Sequence, residues 1–211
     1  MPLLLGNVAP ERHDDWALID PRLTLTWHEA AEAVDRAANG MRTQLAPDRR
    51  VGVFSRNCAE GVLALVASMA AGRTAVPINS HLAPGELAYI LDDGAIDLLF
   101  TGPEYVDVAL VAAQEAGGRT RVIAWRCPDA AGVTRWSYWL AAQPDSEPPG
   151  GTPAVPHLHY TSGTTGRPKA VLTARTMFPY VDTVAELFAA LGAEVRVGVS
   201  GPGLAVAPLY H

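Results

Sequence analysis

The sequence predicts an α/β fold in which alternating strands and helices form a mostly parallel sheet. Two short apolar runs, 51–55 and 74–78, are typical of buried strands and flank a largely apolar helix over 59–71. Further helices separate them from strands at 97–101 and 121–125. Because strand, helix and strand in this order form a parallel pair with a right-handed crossover, the repetition predicts one helix-covered sheet.

The chain before this sheet predicts a hairpin followed by a helix. Residues 16–20 and 23–27 are two short strands around a proline-containing turn. From His28, apolar residues recur at helical spacings of three and four. Thr26, with Glu29 three positions later, is the expected cap at the start of that helix.

The helices between and after the strands carry their own signals. Pro84 opens a helix over 84–93, since proline is favoured in a first turn. Residues 105–115 and 135–142 are predicted as two more helices. The aromatic residues of the last helix are assigned to the core rather than to a pocket: Trp136, Tyr138 and Trp139.

A Pro/Gly-rich segment over 143–154 divides the chain and predicts a surface connection. It separates an N-terminal α/β subdomain, 1–142, from a second part, 155–211, which begins the next subdomain. Within that second part we expect strands at 156–160 and 171–173. We also expect a helix from Thr176, with Pro179 in its first turn and Gly192 at its end.

Composition excludes several classes of function. The formal net charge is −6, and the 16 basic residues are scattered, which argues against a nucleic-acid surface. Cys58 and Cys127 form no metal or disulfide pattern, which fits a cytoplasmic protein. No signal peptide is expected, and the longest apolar run, 62–71, is far below the roughly 18 residues of a membrane span. His157 and His159 would share one strand face, but without a nearby third ligand no metal site is predicted.

Residues 160–170 contain the strongest functional signal, Tyr-Thr-Ser-Gly-Thr-Thr-Gly-Arg-Pro-Lys-Ala. Its two glycines allow a tight turn and close approach to a ligand, while its hydroxyls, backbone N–H groups and Lys169 can bind anionic oxygens. These features predict a polyphosphate site. The Walker motif requires Lys directly after Gly, so a P-loop NTPase is disfavoured. An exposed polar linker is the structural alternative.

This stretch resembles the phosphate-binding signature of the adenylate-forming superfamily, which includes acyl-CoA synthetases, aryl-CoA ligases, luciferases and peptide-synthetase adenylation domains. Residues 71–93, with Val76-Pro77-Ile78-Asn79 and Tyr89-Ile90-Leu91, also resemble its acyl-CoA synthetase branch. Residues 204–211 resemble a further motif, a strand ending in Pro-Leu-aromatic-His. The resemblance covers roughly residues 15–211. Ala170 and Ala174-Arg175 depart from the family pattern, which leaves the substrate class open.

The resemblance implies an ATP- and Mg²⁺-dependent ligase that converts a small carboxylate into an acyl-adenylate and then into a coenzyme A thioester. His211 would contact the substrate in a catalytic role, or would simply be a frayed end. The residues implied to grip the β- and γ-phosphates are Thr161, Ser162, Gly163, Thr164, Thr165, Gly166 and Lys169.

Three interpretations of the chain remain open at this point. It is the N-terminal piece of a ligase and inactive alone, since the family's later motifs fall beyond residue 211. Alternatively, it is a short nucleotide- or partner-binding protein without catalysis, or an adenylation fragment serving a carrier protein. Ending within a motif would also leave an apolar face exposed and so favour a homodimer.

Overall fold

The computed structural model describes residues 3–161, 168–172, 181–195 and 203–210. The helices are α1 Trp27–Gln44, α2 Ala59–Ala70, α3 Pro84–Asp93, α4 Val106–Glu115, α5 Trp136–Ala141 and α6 Val184–Val195. The strands are β1 Trp16–Ile19, β2 Thr24–Thr26, β3 Arg50–Phe54, β4 Ala75–Ile78, β5 Ile96–Thr101, β6 Arg121–Ala124, β7 Val133–Arg135, β8 Leu158–Thr161 and β9 Lys169–Leu172. Short 3-10 helices lie at Leu5–Asn7, Pro10–Arg12 and Pro103–Tyr105.

Five strands form one parallel sheet in the order β4-β3-β5-β6-β7, which confirms the predicted α/β fold. The chain runs from β3 to its neighbour β4 and then crosses to β5 on the other side of β3. Such a reversal leaves a crevice at the carboxyl ends of the strands, where open α/β sheets bind ligands. The loops that follow β3, β5 and β6 line a cavity of about 560 Å³ at this edge.

Helices bury both faces of the sheet. On β5, Leu98 and Phe100 pack towards α1, α2 and α5, whereas Leu99 between them packs towards α3 and α4. Successive side chains of a strand point to opposite faces, so a strand buried on both faces has an unbroken apolar run. In the described parts of the chain, no helix is long and apolar enough to cross a membrane.

The first elements confirm the predicted hairpin and capped helix. β1 and β2 pair in an antiparallel hairpin. The Thr26 hydroxyl accepts a hydrogen bond from the Glu29 N–H, and the Glu29 carboxylate accepts one from the Thr26 N–H. This reciprocal capping box satisfies two N–H groups that a helix start would otherwise leave unbonded.

The aromatic residues of α5 divide between core and surface. Trp136 and Trp139 are buried, and each indole ring lies edge-on to the Phe100 ring. Tyr138 is 63% exposed, so assigning it to the core was wrong. Arg135 instead lies over its ring at 4.5 Å, a cation–π contact at the protein surface.

Strand β7 and helix α6 differ from expectation. β7 was missed because three residues at a sheet edge carry too little periodicity to show as a strand. α6 begins at Val184 rather than at Thr176, because the Thr183 hydroxyl and the Glu186 carboxylate form the N-terminal cap. It also continues through Gly192 to Val195, so this glycine does not end the helix. Thr176 and Pro179 lie outside the described residues.

Candidate phosphate-binding site

The predicted phosphate-binding loop connects the two strands of an antiparallel hairpin. β8 pairs with β9 so that Thr161 is the partner of Lys169 and Leu158 is the partner of Leu172. β9 therefore begins at Lys169, two residues before the strand expected over 171–173, because pairing with β8 extends up to the loop. The hairpin brings together the first and last residues of the proposed phosphate-binding set.

Both paired residues suit an anionic ligand. Thr161 and Lys169 are exposed, so their hydroxyl and ammonium groups are accessible. A hydroxyl donates one hydrogen bond, and an ammonium group adds three donors and a positive charge. This donor chemistry fits a nucleotide polyphosphate with its Mg²⁺. The other predicted phosphate-binding residues lie outside the described residues: Ser162, Gly163, Thr164, Thr165 and Gly166.

Helix α3 fastens the hairpin at two points. The Tyr160 hydroxyl donates a 2.6 Å hydrogen bond to the Asp93 carboxylate, and the Tyr89 hydroxyl donates a 3.4 Å bond to the Pro168 carbonyl. Partial burial, and then the bond to Asp93, raises the pKa of Tyr160, so its phenol stays protonated as a donor. Leu158 is buried in the core beneath α3 and α4. The hairpin is thus held on both sides of the loop.

His157, shortly before the loop, is not suited to bind phosphate as a cation. Burial, followed by the nearby His159, lowers the pKa of His157 to about 4, so it is neutral at pH 7. The two rings lie 6.5 Å apart. Across the residues that the structure describes, no group of three or more His, Cys, Asp or Glu side chains could hold a metal ion.

A second part of the site lies at the carboxyl edge of the parallel sheet. Asn57, in the loop between β3 and α2, hydrogen-bonds the backbone of Ala207 and Leu209. The described residues 203–210 form no strand, contrary to the expectation from the motif at 204–211, because none of the described strands pairs with them. His211 lies outside the described residues. Sequence reasoning missed Asn57, whose signal is an asparagine two positions after the end of a predicted strand.

An ion-pair triad stabilises the same edge. The Arg126 guanidinium donates hydrogen bonds of 2.6 and 2.7 Å to Glu60 and of 2.6 Å to Asp20. Burial alone would raise the pKa of Asp20, but the bond from Arg126 and three backbone N–H bonds outweigh it and lower this pKa to about 2. The triad joins the turn after β1, the start of α2 and the loop after β6. It was not predicted, because its members are distant in sequence.

The α/β architecture with its five-stranded parallel sheet matches the N-terminal domain of adenylate-forming enzymes. An anthranilate CoA ligase, AuaEII, solved in complex with anthranoyl-AMP, superposes with a TM-score of 0.70 at 24% identity, over 82% of this chain and 34% of that one. Residues 6–211 match the family described as AMP-binding enzyme. The chain belongs to this family, within the adenylate-forming superfamily.

Several similar relatives are named as CoA ligases or CoA synthases. The chain is 30% identical over 162 residues to a 3-hydroxybenzoate–CoA ligase of Aromatoleum, an alignment that covers 75% of this chain and 31% of that enzyme. It is 36% identical over 152 residues to a feruloyl-CoA synthase of Amycolatopsis, covering 70% of this chain and 28% of the synthase. The chain therefore spans about a third of the length of these relatives.

Proposed function

We propose that this chain is the N-terminal part of an ATP-dependent carboxylate–CoA ligase. The supporting observation is the β8–β9 hairpin, which pairs Thr161 with Lys169 on either side of the family's phosphate-loop motif and is bonded to α3 through Tyr160. The acceptor is coenzyme A, since both relatives described above are named for CoA thioester formation. The acid is a small carboxylate, and aromatic acids are the first to test because these relatives act on them.

The proposed reaction has two steps. A carboxylate oxygen attacks the α-phosphorus of ATP, which gives an acyl-adenylate and releases pyrophosphate. The thiol of coenzyme A then attacks the acyl carbon, a thioester forms, and AMP leaves. Chemistry of this kind depends on positioning and on neutralising charge as it develops, so no protein nucleophile is needed.

Each proposed site residue has a part in the first step. The Lys169 ammonium and the Thr161 hydroxyl bind the β- and γ-phosphates and orient the α-phosphorus towards the carboxylate. The intervening hydroxyls and N–H groups complete the binding of phosphate oxygens, while bound Mg²⁺ supplies further charge neutralisation. His211 contacts the carboxylate substrate. The intervening residues proposed for this role are Ser162, Gly163, Thr164, Thr165 and Gly166.

The chain by itself is proposed to bind nucleotide without completing the reaction, because it spans only about a third of its relatives. We further propose that residues 1–142 and 155–211 belong to successive subdomains joined by 143–154. Sequencing the reading frame past the His211 codon tests whether the chain is the N-terminal part of a ligase. Continuation into an aromatic-Gly-x-Thr-Glu segment and a distal lysine supports the ligase, whereas a stop codon at that position contradicts it.

Nucleotide binding can be tested on the chain itself, because Lys169 is its only lysine. Amine acylation at Lys169 should slow severalfold when MgATP is present, with the N-terminal amine as an internal reference.

For the complete ligase, Lys169→Ala should lower carboxylate-dependent ATP–pyrophosphate exchange, and Lys169→Arg should retain part of it. Arg119→Ala, which removes an exposed cation elsewhere, is the control. Unaltered exchange in Lys169→Ala would refute the assignment.

A further inference from the structure

The side-chain amide of Asn57 binds the last described segment, residues 203–210, at the edge of the sheet. The Asn57 Nδ2 donates a 2.8 Å hydrogen bond to the Ala207 carbonyl, and the Leu209 N–H donates a 2.9 Å bond to the Asn57 Oδ1. The Asn57 amide therefore binds the backbone on both sides of Pro208, once as a donor and once as an acceptor. Pro208 between them has no N–H to satisfy.

The loop that carries Asn57 is itself fixed on both sides. Arg56 donates a 2.9 Å hydrogen bond from its Nε to the Tyr105 hydroxyl, and the Ala59 N–H donates one of 2.9 Å to the Asp20 carboxylate. Ala59 is buried as the first residue of α2. The loop that carries Asn57 is thus held by contacts that do not involve the segment that Asn57 binds.

The exposure of residues 203–210 decreases near the position at which Asn57 binds them. Residues 203–208 are exposed, and the side chains of Leu204 and Val206 are 87% and 82% exposed. Leu209 and Tyr210 are half-buried. The chain therefore returns to the body of the protein at the point where Asn57 binds it.

We propose that Asn57 is a positioning residue for use of the carboxylate substrate, because it holds Ala207–Leu209, the segment that leads to His211 in the sequence, at the carboxyl edge of the sheet. This role rests on the proposed function, in which His211 contacts that substrate. Asn57 acts through the backbone that it binds and touches no reacting atom. Its loss should therefore affect use of the carboxylate and leave use of ATP unchanged.

Hydrogen exchange on the chain itself tests the clamp directly. Asn57→Ala removes both bonds, so the Leu209 amide should exchange about tenfold faster. Asn57→Asp keeps an acceptor for that N–H and should accelerate exchange less. Asn39→Ala is the matched control, since the Asn39 amide also donates two bonds, to the carbonyls of Pro144 and Ser146. Equal Leu209 exchange in wild type and Asn57→Ala would overturn the proposal.

Kinetics of the complete ligase test the positioning role. Asn57→Ala should raise the KM for the carboxylate about tenfold and keep the KM for ATP within about twofold, while Asn39→Ala changes neither. Equal changes in both KM values, or the same effect in Asn39→Ala, would overturn positioning. Failure of the wild-type enzyme to exchange pyrophosphate would instead refute the proposed function, and the positioning role with it.

Discussion

Removing Arg126 should destabilise the protein far more than removing an exposed arginine. The side chains of its partners Asp20 and Glu60 are only 12% and 7% exposed, and that of Arg126 is 20% exposed. Asp20 would keep its bonds from the N–H groups of Arg22, Leu23 and Ala59, but Glu60 would lose both hydrogen bonds from the guanidinium. Breaking a buried pair by removing one partner costs about 3–5 kcal/mol, because the remaining charge is uncompensated.

Equilibrium unfolding in urea measures this cost. Arg126→Met should lower the free energy of unfolding by about 3–5 kcal/mol, and adding Glu60→Gln should recover a substantial part, because the orphaned charge is then gone. The control is Arg119→Met, which breaks an ion pair with Asp92 whose side chains are 62% and 68% exposed. It should change the free energy by less than about 1 kcal/mol. A similarly small loss in Arg126→Met would refute the reasoning.

The pH dependence of the triad follows from the lowered pKa of Asp20. A carboxylate whose folded-state pKa lies below its unfolded value stabilises the fold above the unfolded pKa. This contribution is lost as pH falls from about 4 towards about 2. In Arg126→Met the bond that lowers this pKa is absent, so unfolding free energy should depend less on pH across that window. An identical slope in both proteins would contradict the role given to Arg126.

Three further outcomes are expected. Burial, and then the charges of Glu147 and Asp145, raise the pKa of Asp35 to about 6. The contribution of Asp35 to the free energy of unfolding therefore falls as pH rises from about 4 to 6. After discounting for partial exposure, Asp35→Asn should be about 1 kcal/mol more stable than wild type in urea unfolding at pH 7. Tyr160→Phe removes the hydrogen bond to Asp93 and should lower the free energy of unfolding in urea by about 1–2 kcal/mol. It should also weaken the protection of Lys169 by MgATP against amine acylation. Full protection of Lys169 in this variant would contradict the anchoring of the hairpin by α3. Gly40→Ala would place a methyl group 2.6 Å from an indole carbon of α5, so a lower melting temperature is expected, corresponding to about 1–3 kcal/mol.

Much of the fold could be predicted because its signals are local. The sheet strands at 51–55, 74–78 and 97–101 were predicted from apolar runs, and β3, β4 and β5 match them to within a residue or so. The Thr26 cap was predicted from a partner three positions away. The same kind of signal at Thr183 and Glu186 was overlooked, and α6 was therefore placed too early. The assignments of Ser162–Gly166 and His211 to the site remain predictions.

The amino-acid sequence by itself determined the alternation of elements, the helix starts and the phosphate-loop motif, because each depends on residues within a few positions of one another. Only the tertiary structure decided that β3 lies between β4 and β5, that Arg126 meets an aspartate 106 positions away, and that Asn57 binds a backbone N–H 152 positions away. Packing of the helices and strands determines which distant chain segments meet. A donor or acceptor in the sequence does not specify which distant group will form its hydrogen bond.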